Sequence, residues 1–446
     1  MKETAEPSEQ PGNLLVLALL ALIVGAAAGL LGAMFRLALQ KADSLRDVAI
    51  AAAHVQRGIG FVVVVVACGS ATGFAAWLVR RFSSHASGSG IPHVEAVLHG
   101  ELLPQAPFRL IPVKFLGGLL AIGSGLALGR EGPSVQMGAS IGHLVGEIGR
   151  RKWPDCRVLF AAGAGAGLAT AFNAPMAGAV FVLEELVRRF EPRIAIAALA
   201  ASSMAITVCR LFLGDAPDFH IDTLVYPGFG ARPLYFGLGL FAGFLGIVYN
   251  RTLLGTLAVA DRLARLPVEL RAALIGVAVG TLAWFVPDLV GGGDAISQRT
   301  LLGMESLAIL PALFALRLAL GALSYAAGTP GGLFAPLLVL GAQLGLFFGL
   351  LCRLAFPDLD LQPQGFAVVG MAAFFTGIVR APLTGIVLVT EMTASVTLLL
   401  PMLGACFVAM LVPTLLRDPP IYDSLRERTL GLDKARGTAR PPDPLQ

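Results

Sequence analysis

Charged residues are scarce in this sequence: Asp, Glu, Lys and Arg make up only 14% of its 446 residues. Soluble globular domains carry roughly 25%, so the deficit excludes an ordinary soluble protein. Hydrophobic residues reach 56% instead, and the mean hydropathy is +0.77. This composition predicts an all-α polytopic membrane protein, which crosses the lipid bilayer several times.

The sequence also lacks the features of several other classes. Its five cysteines are widely spaced and form no Cys-x-x-Cys pair, which argues against a disulfide framework and against a metal site. It has no Walker motif, haem motif or cluster of metal ligands, so neither an ATP-driven pump nor a cofactor is expected. The net charge of +4 comes from short basic clusters between apolar runs, which suit lipid headgroups and not nucleic acid.

Long runs without a charged residue predict membrane spans. Residues 1–12 are polar and slightly acidic, so the first run lacks the basic start of a signal peptide and is interpreted as a retained helix. Another run, Leu318–Cys352, is too long for one helix and carries GTPGGLFAP in its middle. Such uneven, interrupted helices are typical of transporters. The predicted spans are Leu14–Phe35, Gly58–Val79, Ile194–Cys209, Pro233–Asn250, Ala272–Pro287 and Met392–Leu416.

Arg130 and Glu131 are the only Asp, Glu, Lys or Arg residues in the apolar segment 115–146. A carboxylate at bilayer depth is costly, so it normally faces a cavity, a partner or a transported ion. The flanking Gly129, Gly132 and Pro133 indicate that the helix is broken at this depth. A broken helix offers its N-terminus to an anion.

An internal repeat organises the chain. GREGPSVQMGASIG aligns with GLFAPLLVLGAQLG, and NAPMAGAVFVLEEL aligns with RAPLTGIVLVTEMT further along the chain. Two homologous halves are therefore predicted, and the alignment alone leaves their relative orientation open. The predicted divisions are a polar tail over residues 1–12, a first repeat with the N-terminal helix over 13–260, a second repeat over 261–416 and a C-terminal tail over 417–446.

Three segments rich in glycine and proline, 88–92, 129–133 and 331–336, each precede or begin a predicted helix, and Tyr422 follows the last span. Glycine lets the backbone approach a ligand, and the free N–H groups of a helix N-terminus favour an anion. Several such ends together would bind an anion weakly enough for it to leave again. The backbone groups predicted to form this site are those of Gly88, Gly90, Ile91, Gly129, Arg130, Gly132 and Gly332.

These motifs, GSGIP, GREGP, GGLFAP and a C-terminal tyrosine in this order, resemble those of the CLC family of chloride channels and chloride/proton antiporters. The resemblance implies a homodimer with one ion pathway per subunit, built from two inverted repeats of tilted and broken helices. It implies that the side chains of Ser89 and Tyr422 and the amides of Leu333 and Phe334 line the chloride site. It also implies that Glu131 is the gate, whose carboxylate competes with chloride when charged and moves away when protonated.

The same resemblance bears on which activity is expected. Glu185 takes the internal proton-transfer position of the family's antiporters, with Glu184 beside it, and family channels commonly carry a non-acidic residue at the Glu185 position. A chloride/proton antiporter is therefore favoured over a passive chloride channel, and Ser89 with Tyr422 favours chloride as the anion. The expected location is the bacterial inner membrane with both termini cytoplasmic. The prokaryotic type, without nucleotide-sensing CBS domains, is expected because little sequence follows the last span.

Each of these functional roles has a simpler structural alternative. Glu131 can pair with Arg130 or contact a lipid headgroup, and both Glu184 and Glu185 can lie solvated beside Arg188 and Arg189. Ser89 can serve only as a helix cap, Tyr422 can lie at the membrane interface, and Phe334 can pack against lipid or the core. His93, where many bacterial relatives have an acidic residue, is a candidate for modulating the pH response, and its simpler alternatives are a solvated side chain or a helix cap. A hypothesis of another class is an intramembrane hydrolase that uses Ser124, within Gly123-Ser124-Gly125, and His143.

Overall fold

The computed structural model describes residues 13–221, 224–226, 228–263 and 265–435, which form seventeen α-helices and no β-strand. In chain order the helices are α1 Leu14–Ala53, α2 Arg57–Phe82, α3 Ile91–Leu98, α4 Pro107–Gly123, α5 Glu131–Ile148, α6 Trp153–Phe172, α7 Pro175–Phe181, α8 Pro192–Leu213, α9 Arg232–Arg262, α10 Val268–Phe285, α11 Asp294–Leu301, α12 Leu310–Ala326, α13 Phe334–Ala355, α14 Pro363–Val379, α15 Pro382–Thr393, α16 Leu399–Leu415 and α17 Ile421–Ala435.

Six of these helices, α1, α2, α8, α9, α10 and α13, are long and apolar enough to cross a membrane. Helices α12, α14, α15 and α16 are apolar but shorter. Large apolar side chains such as Ile23, Phe74 and Phe407 remain about half exposed or more on the outer faces. Water would disfavour such a surface, whereas lipid tails cover it at no cost. The protein is therefore a multi-pass integral membrane protein.

Most of the predicted spans lie inside helices, but the helices begin and end at other residues than the predicted spans do. The predicted span Met392–Leu416 is wrong as a single helix: α15 ends at Thr393, Ala394 has a left-handed φ of 50°, and α16 begins only at Leu399. The break falls in the stretch Thr-Ala-Ser-Val-Thr, in which every residue except Ala394 is a weak helix former. An absence of charge does not reveal this interruption. The long run Leu318–Cys352 divides as expected, since α12 ends at Ala326 and α13 begins at Phe334.

Helix packing reveals the repeat. Helix α1 packs against α6 and α8, and α9 packs in the same way against α14 and α16; likewise α5 pairs with α6 as α13 pairs with α14. The predicted division after residue 260 cuts the last turn of α9, whose neighbours belong to the second set of helices. We propose that the first repeat consists of α1–α8 and that the second begins with α9.

Helices α7 and α15, which correspond in the two repeats, run antiparallel to each other. Glu184, just beyond the end of α7, accepts hydrogen bonds from Leu383 N at 2.9 Å and Thr384 N at 2.6 Å, in the first turn of α15. Glu391, near the end of α15, accepts from Met176 N at 3.0 Å and Ala177 N at 2.8 Å, in the first turn of α7. Each carboxylate thus caps the helix that carries the other, which requires opposite chain directions. This contact supports an inverted arrangement of the repeats.

Glycines bring the paired helices of each repeat into close contact. A Cβ on Gly138 of α5 would lie 2.2 Å from the carbonyl oxygen of Gly163 of α6, and a Cβ on Gly341 of α13 would lie 2.6 Å from that of Gly370 of α14. Only glycine permits such backbone approach between membrane helices. This packing fixes the N-terminal ends of α5 and α13 deep inside the protein, where the candidate site lies.

Candidate anion site

Backbone hydrogen bonds join the three glycine-rich loops that precede α3, α5 and α13. Gly129 N donates to the oxygen of Gly332 at 2.9 Å, and Gly332 N donates back to that of Gly129 at 2.7 Å. Gly331 N donates to the oxygen of Gly88 at 3.1 Å. The buried ammonium of Lys114 donates to the same Gly88 oxygen at 2.8 Å. The starts of the three helices are therefore held together.

The loop before α3 requires glycine at two positions. Gly88 and Gly90 have φ values of 62° and 83°, in the left-handed region that favours glycine. A third glycine, Gly132 in the first turn of α5, allows a close approach, because a Cβ there would lie 2.5 Å from the carbonyl oxygen and 2.6 Å from Oγ of Ser89. Ser89 is thus pressed against the N-terminus of α5.

The Glu131 side chain points into the protein and is fully buried. Its Oε1 accepts a hydrogen bond of 2.6 Å from Phe334 N, the first residue of α13. Its Oε2 has no hydrogen-bond partner among the described residues. Gly129 and Gly332 flank the carboxylate so closely that a Cβ on either would lie 2.0 to 2.1 Å from one of its oxygens. A carboxyl group therefore occupies a helix N-terminus, the position that an anion prefers.

Arg130 is directed away from Glu131. Its Nε donates to the oxygen of Ala171 at 2.7 Å, and its two terminal nitrogens contact Asp294 at 2.8 Å and Asp218 at 3.1 Å. Asp218 also accepts from Arg36 at 2.8 Å. The alternative of a Glu131–Arg130 salt bridge is therefore wrong, as is a lipid-headgroup contact for the buried Glu131.

Ser89 and Tyr422 lie in the same buried region. Both are fully buried, and neither hydroxyl has a hydrogen-bond partner of good geometry within the described part of the chain. The Tyr422 ring lies 5.8 Å from that of Phe334, measured between centroids. Leu333, also buried, directly precedes α13. The interfacial alternative for Tyr422 and the lipid-facing alternative for Phe334 are therefore wrong, because both side chains are internal.

Glu184 and Glu185 are adjacent in sequence but have different surroundings. They lie in a π-helical turn, Val182–Leu186, a rare geometry that often marks functional sites. Glu185 is buried, and one of its oxygens lies 3.6 Å from Arg188, which also pairs with buried Glu95 at 2.9 Å. Glu184 turns the other way and caps α15. The alternative that both are solvated at an interface is wrong for Glu185.

Two further interpretations change with the structure. His93 is buried, with its ring 4.8 Å from that of His85 and its Nδ1 3.3 Å from Gln136 Nε2, so it is neither solvated nor a helix cap. The hydrolase hypothesis has no geometric support. Ser124 Oγ lies 3.1 Å from Thr72 Oγ1 and donates to its own helix, whereas His143 Nε2 lies 3.4 Å from Glu147.

Sequence reasoning missed several residues that shape this region. Lys114 was detectable, because it is an isolated cation at the edge of an apolar run. Asp218 and Tyr325 were not, since they lie outside the motifs and come near the site only through long-range contacts. Glu95 follows the GSGIP motif, but its pairing with Arg188 is a long-range contact that the sequence does not show.

Comparison with known proteins shows the family and the fold. The family model described as voltage gated chloride channel matches residues 71–414. The H(+)/Cl(-) exchange transporter ClcA of Vibrio parahaemolyticus is 39% identical over 94% of this chain and 91% of its own length, and that of Vibrio cholerae is 38% identical over 95% and 92%. The crystal structure of a slow cyanobacterial Cl⁻/H⁺ antiporter superposes with a TM-score of 0.89 at 33% identity, covering 93% of this chain and 98% of that one. A eukaryotic CLC transporter, at 24% identity and a TM-score of 0.81 over 93% of this chain and 74% of that one, shares the fold.

Proposed function

Because the chain belongs to the voltage-gated chloride channel family, we propose that it exchanges chloride for protons across the membrane, with Glu131 as the gate of the anion pathway. The observation that carries this proposal is the hydrogen bond from Phe334 N to Glu131 Oε1. The names of its relatives, exchange transporters and an antiporter, support the choice of substrates.

The gate follows from competition for one helix N-terminus. The charged Glu131 carboxylate accepts the hydrogen bond at the start of α13, so a chloride ion and this carboxylate exclude each other there. Protonation removes the negative charge that holds the carboxyl group at the N–H groups. Chloride then takes its place, bound by the amides of Leu333 and Phe334 and by the hydroxyls of Ser89 and Tyr422. One group thus responds to both transported ions.

Proton exchange needs a second proton-transfer residue on the opposite side of the gate. We assign this role to Glu185, which is buried and has an oxygen without a hydrogen-bond partner among the described residues. Phe181, one turn earlier, packs its ring 5.7 Å from that of Phe334, so the π-turn lies close to the anion site. Glu184 neighbours this route, with its carboxylate engaged by α15.

The proposal includes the assembly and location that the family resemblance implies. The functional unit is a homodimer in the bacterial inner membrane, with one pathway in each subunit and both termini in the cytoplasm. Chloride and protons are the transported partners, and their two gradients supply the driving force.

The test is simultaneous recording of chloride and proton movement in liposomes that contain the purified protein. The wild type should move protons uphill when only a chloride gradient is applied. Glu131→Gln should keep chloride flux and lose coupled proton movement, because its amide cannot release or bind a proton. Glu185→Gln should stop proton movement and spare much of the chloride flux.

Glu147→Gln is the matched control, since Glu147 is an exposed glutamate on the same helix as Glu131 and should behave as the wild type. Wild-type protein that conducts chloride without any uphill proton movement would instead be a passive channel. Proton pumping that survives in either Glu131→Gln or Glu185→Gln would contradict the role assigned to that residue.

A further inference from the structure

One aspartate and two arginines form a cluster at the C-terminal end of α6. Asp218, in the connection between α8 and α9, accepts from Arg36 of α1 at 2.8 Å through Oδ1 and from Arg130 at 3.1 Å through Oδ2. Arg36 also donates to the oxygen of Thr170 at 3.1 Å, and Arg130 donates to that of Ala171 at 2.7 Å, both in the last turn of α6. Such oxygens have no partner within their own helix, and the helix dipole favours a cation beside them. Asp218 thus supplies a negative charge that the two arginines share.

The two carboxylate partners of Arg130 differ in their exposure to solvent. The side chain of Asp218 is only 8% exposed, whereas that of Asp294 is 57% exposed. Water and salt screen an exposed ion pair, so that it contributes little, whereas a shielded pair is screened much less. Asp218 is therefore the partner that determines where the Arg130 guanidinium lies.

The segment that carries Asp218 is anchored on both sides. Before it, the oxygen of Ala216 accepts a hydrogen bond of 2.9 Å from Asn173 Nδ2, at the end of α6. After it, Phe219 N donates to the oxygen of Met392 of α15 at 3.0 Å, and the Phe219 side chain is buried. Asp218 is therefore held in a defined place, although it lies in a connection between helices.

Arg130 directly precedes Glu131, so the carboxylate nearest to it along the chain is that of the proposed gate. A bidentate pair between an arginine and a carboxylate is among the strong polar contacts in proteins. Such a pair would favour the charged form of Glu131 and would hold its carboxylate away from Phe334 N, which it contacts in the structure. A guanidinium without another acidic partner would therefore compete both with the amide of α13 and with the proton.

We propose that Asp218 is a positioning residue for the gate, which engages Arg130 and thereby prevents the guanidinium from pairing with Glu131. The Glu131 carboxylate is then free to accept from Phe334 N when it is charged and to leave when it is protonated. Asp218 acts only through Arg130 and binds neither transported ion. This role rests on the proposed function, because it presumes that Glu131 exchanges protons during transport.

The test measures the number of protons moved per chloride in liposomes that contain either the wild type or Asp218→Asn. Asparagine has the same shape, and its amide oxygen still accepts a hydrogen bond from Arg36, so the variant should fold; its neutral group no longer compensates the charge of Arg130. We expect chloride flux to persist and the proton-to-chloride ratio to fall by about 3-fold or more, since a charge-assisted pair between Arg130 and Glu131 can compete with the amide contact. The ratio is taken per ion moved, so a smaller amount of folded protein does not change it.

Arg36→Gln is the matched control, since it breaks the same cluster but leaves Asp218 engaged with Arg130, and it should keep the wild-type ratio. Adding Arg130→Met to Asp218→Asn removes the guanidinium itself, so this double variant should recover most of the coupling. An unchanged ratio in Asp218→Asn would overturn the role of Asp218. An equal fall in Arg36→Gln, or a double variant as uncoupled as Asp218→Asn, would overturn it as well. Failure of the proposed function is a separate result, because it would appear as absent uphill proton movement in wild-type vesicles before any variant is compared.

Discussion

The position of the Glu131 carboxylate depends on two glycines. Gly129 and Gly332 stand on either side of its carboxylate, at distances that leave no room for a methyl group. The two glycines also exchange backbone hydrogen bonds, so neither can retreat without disturbing the loops. Space for the carboxylate at the start of α13 is therefore created by the glycines of both repeats together.

Gly332→Ala tests this arrangement at the scale of one residue. The added Cβ would lie 2.1 Å from Glu131 Oε1, so the carboxylate must leave Phe334 N. A hydrogen bond to a charged group contributes about 1.5–3 kcal/mol, which predicts that its occupancy at this position falls by roughly 10-fold or more. We expect chloride flux to persist while the number of protons moved per chloride falls strongly, as measured in liposomes.

The control for Gly332→Ala is Gly321→Ala, because a Cβ at Gly321 of α12 meets no atom within 4 Å. Both proteins should elute from a sizing column as folded protein at the same volume as the wild type. Full proton coupling in Gly332→Ala would show that the carboxylate does not need this position.

At the scale of single residues, the sequence predicted which side chains are buried around the candidate site better than it predicted what those side chains contact. The ordered motifs were sufficient to nominate Ser89, Glu131, Phe334 and Tyr422, all of which are buried in the structure. The family resemblance assigned proton transfer to Glu185 and not to Glu184, but it did not predict their contacts, because the π-turn that directs the two carboxylates to different neighbours leaves no periodic signal. The true partners of Arg130 lie far away in sequence, so local spacing could not find them either.

At the scale of helices, the reciprocal caps of α7 and α15 join the two repeats. Four backbone N–H groups, two on each helix, donate to Glu184 and Glu391. These groups have no partner within their own helix, and a carboxylate also interacts favourably with the helix dipole. The repeat alignment pairs these two glutamates, but only the inverted orientation explains why each caps the helix of the other.

Glu391→Ala should therefore destabilise the protein. Loss of a capping side chain costs about 0.5–2 kcal/mol, and here two N–H groups of α7 lose their acceptor. We expect a lower apparent melting temperature in detergent. Glu147→Ala, which removes an exposed carboxylate from α5, should leave the melting temperature unchanged. Equal melting temperatures for the two variants would mean that the cap contributes nothing to stability.

At the scale of the whole molecule, the aligned motifs predict a repeat but carry little information about its limits. The aligned motifs lie in the middle of each half, so they indicate two copies without showing where the second begins. We assign α9 to the second repeat only from its packing against α14 and α16. Helix α17, which the proposed division leaves outside both repeats, carries the buried Tyr422.

A group of charged side chains holds α17 in place. Arg188, which follows the π-turn, contacts Asp423 of α17 at 2.7 Å and buried Glu95 of α3 at 2.9 Å. Arg426 of α17 reaches the same Glu95 at 3.2 Å. The end of the first repeat, α3 and α17 are thus connected beside Tyr422. Because Glu95 is completely buried, its carboxylate depends on these two arginines for compensation.

Arg188→Ala should loosen α17 and thereby weaken chloride binding, although Arg188 itself is not a proposed chloride ligand. Removing this partner leaves Glu95 and Asp423 with less compensation, at a cost of about 1–3 kcal/mol. If a third to a half of that cost falls on the bound position of Tyr422, the dissociation constant for chloride, measured by calorimetry in detergent, should rise by about 2- to 13-fold. Arg189→Ala is a close control, because Arg189 is the next residue, is exposed, and pairs only with Glu191 among the described contacts. Equal chloride affinity in both variants would mean that Tyr422 is positioned by the packing of its ring on Phe334 and not by the charges around α17.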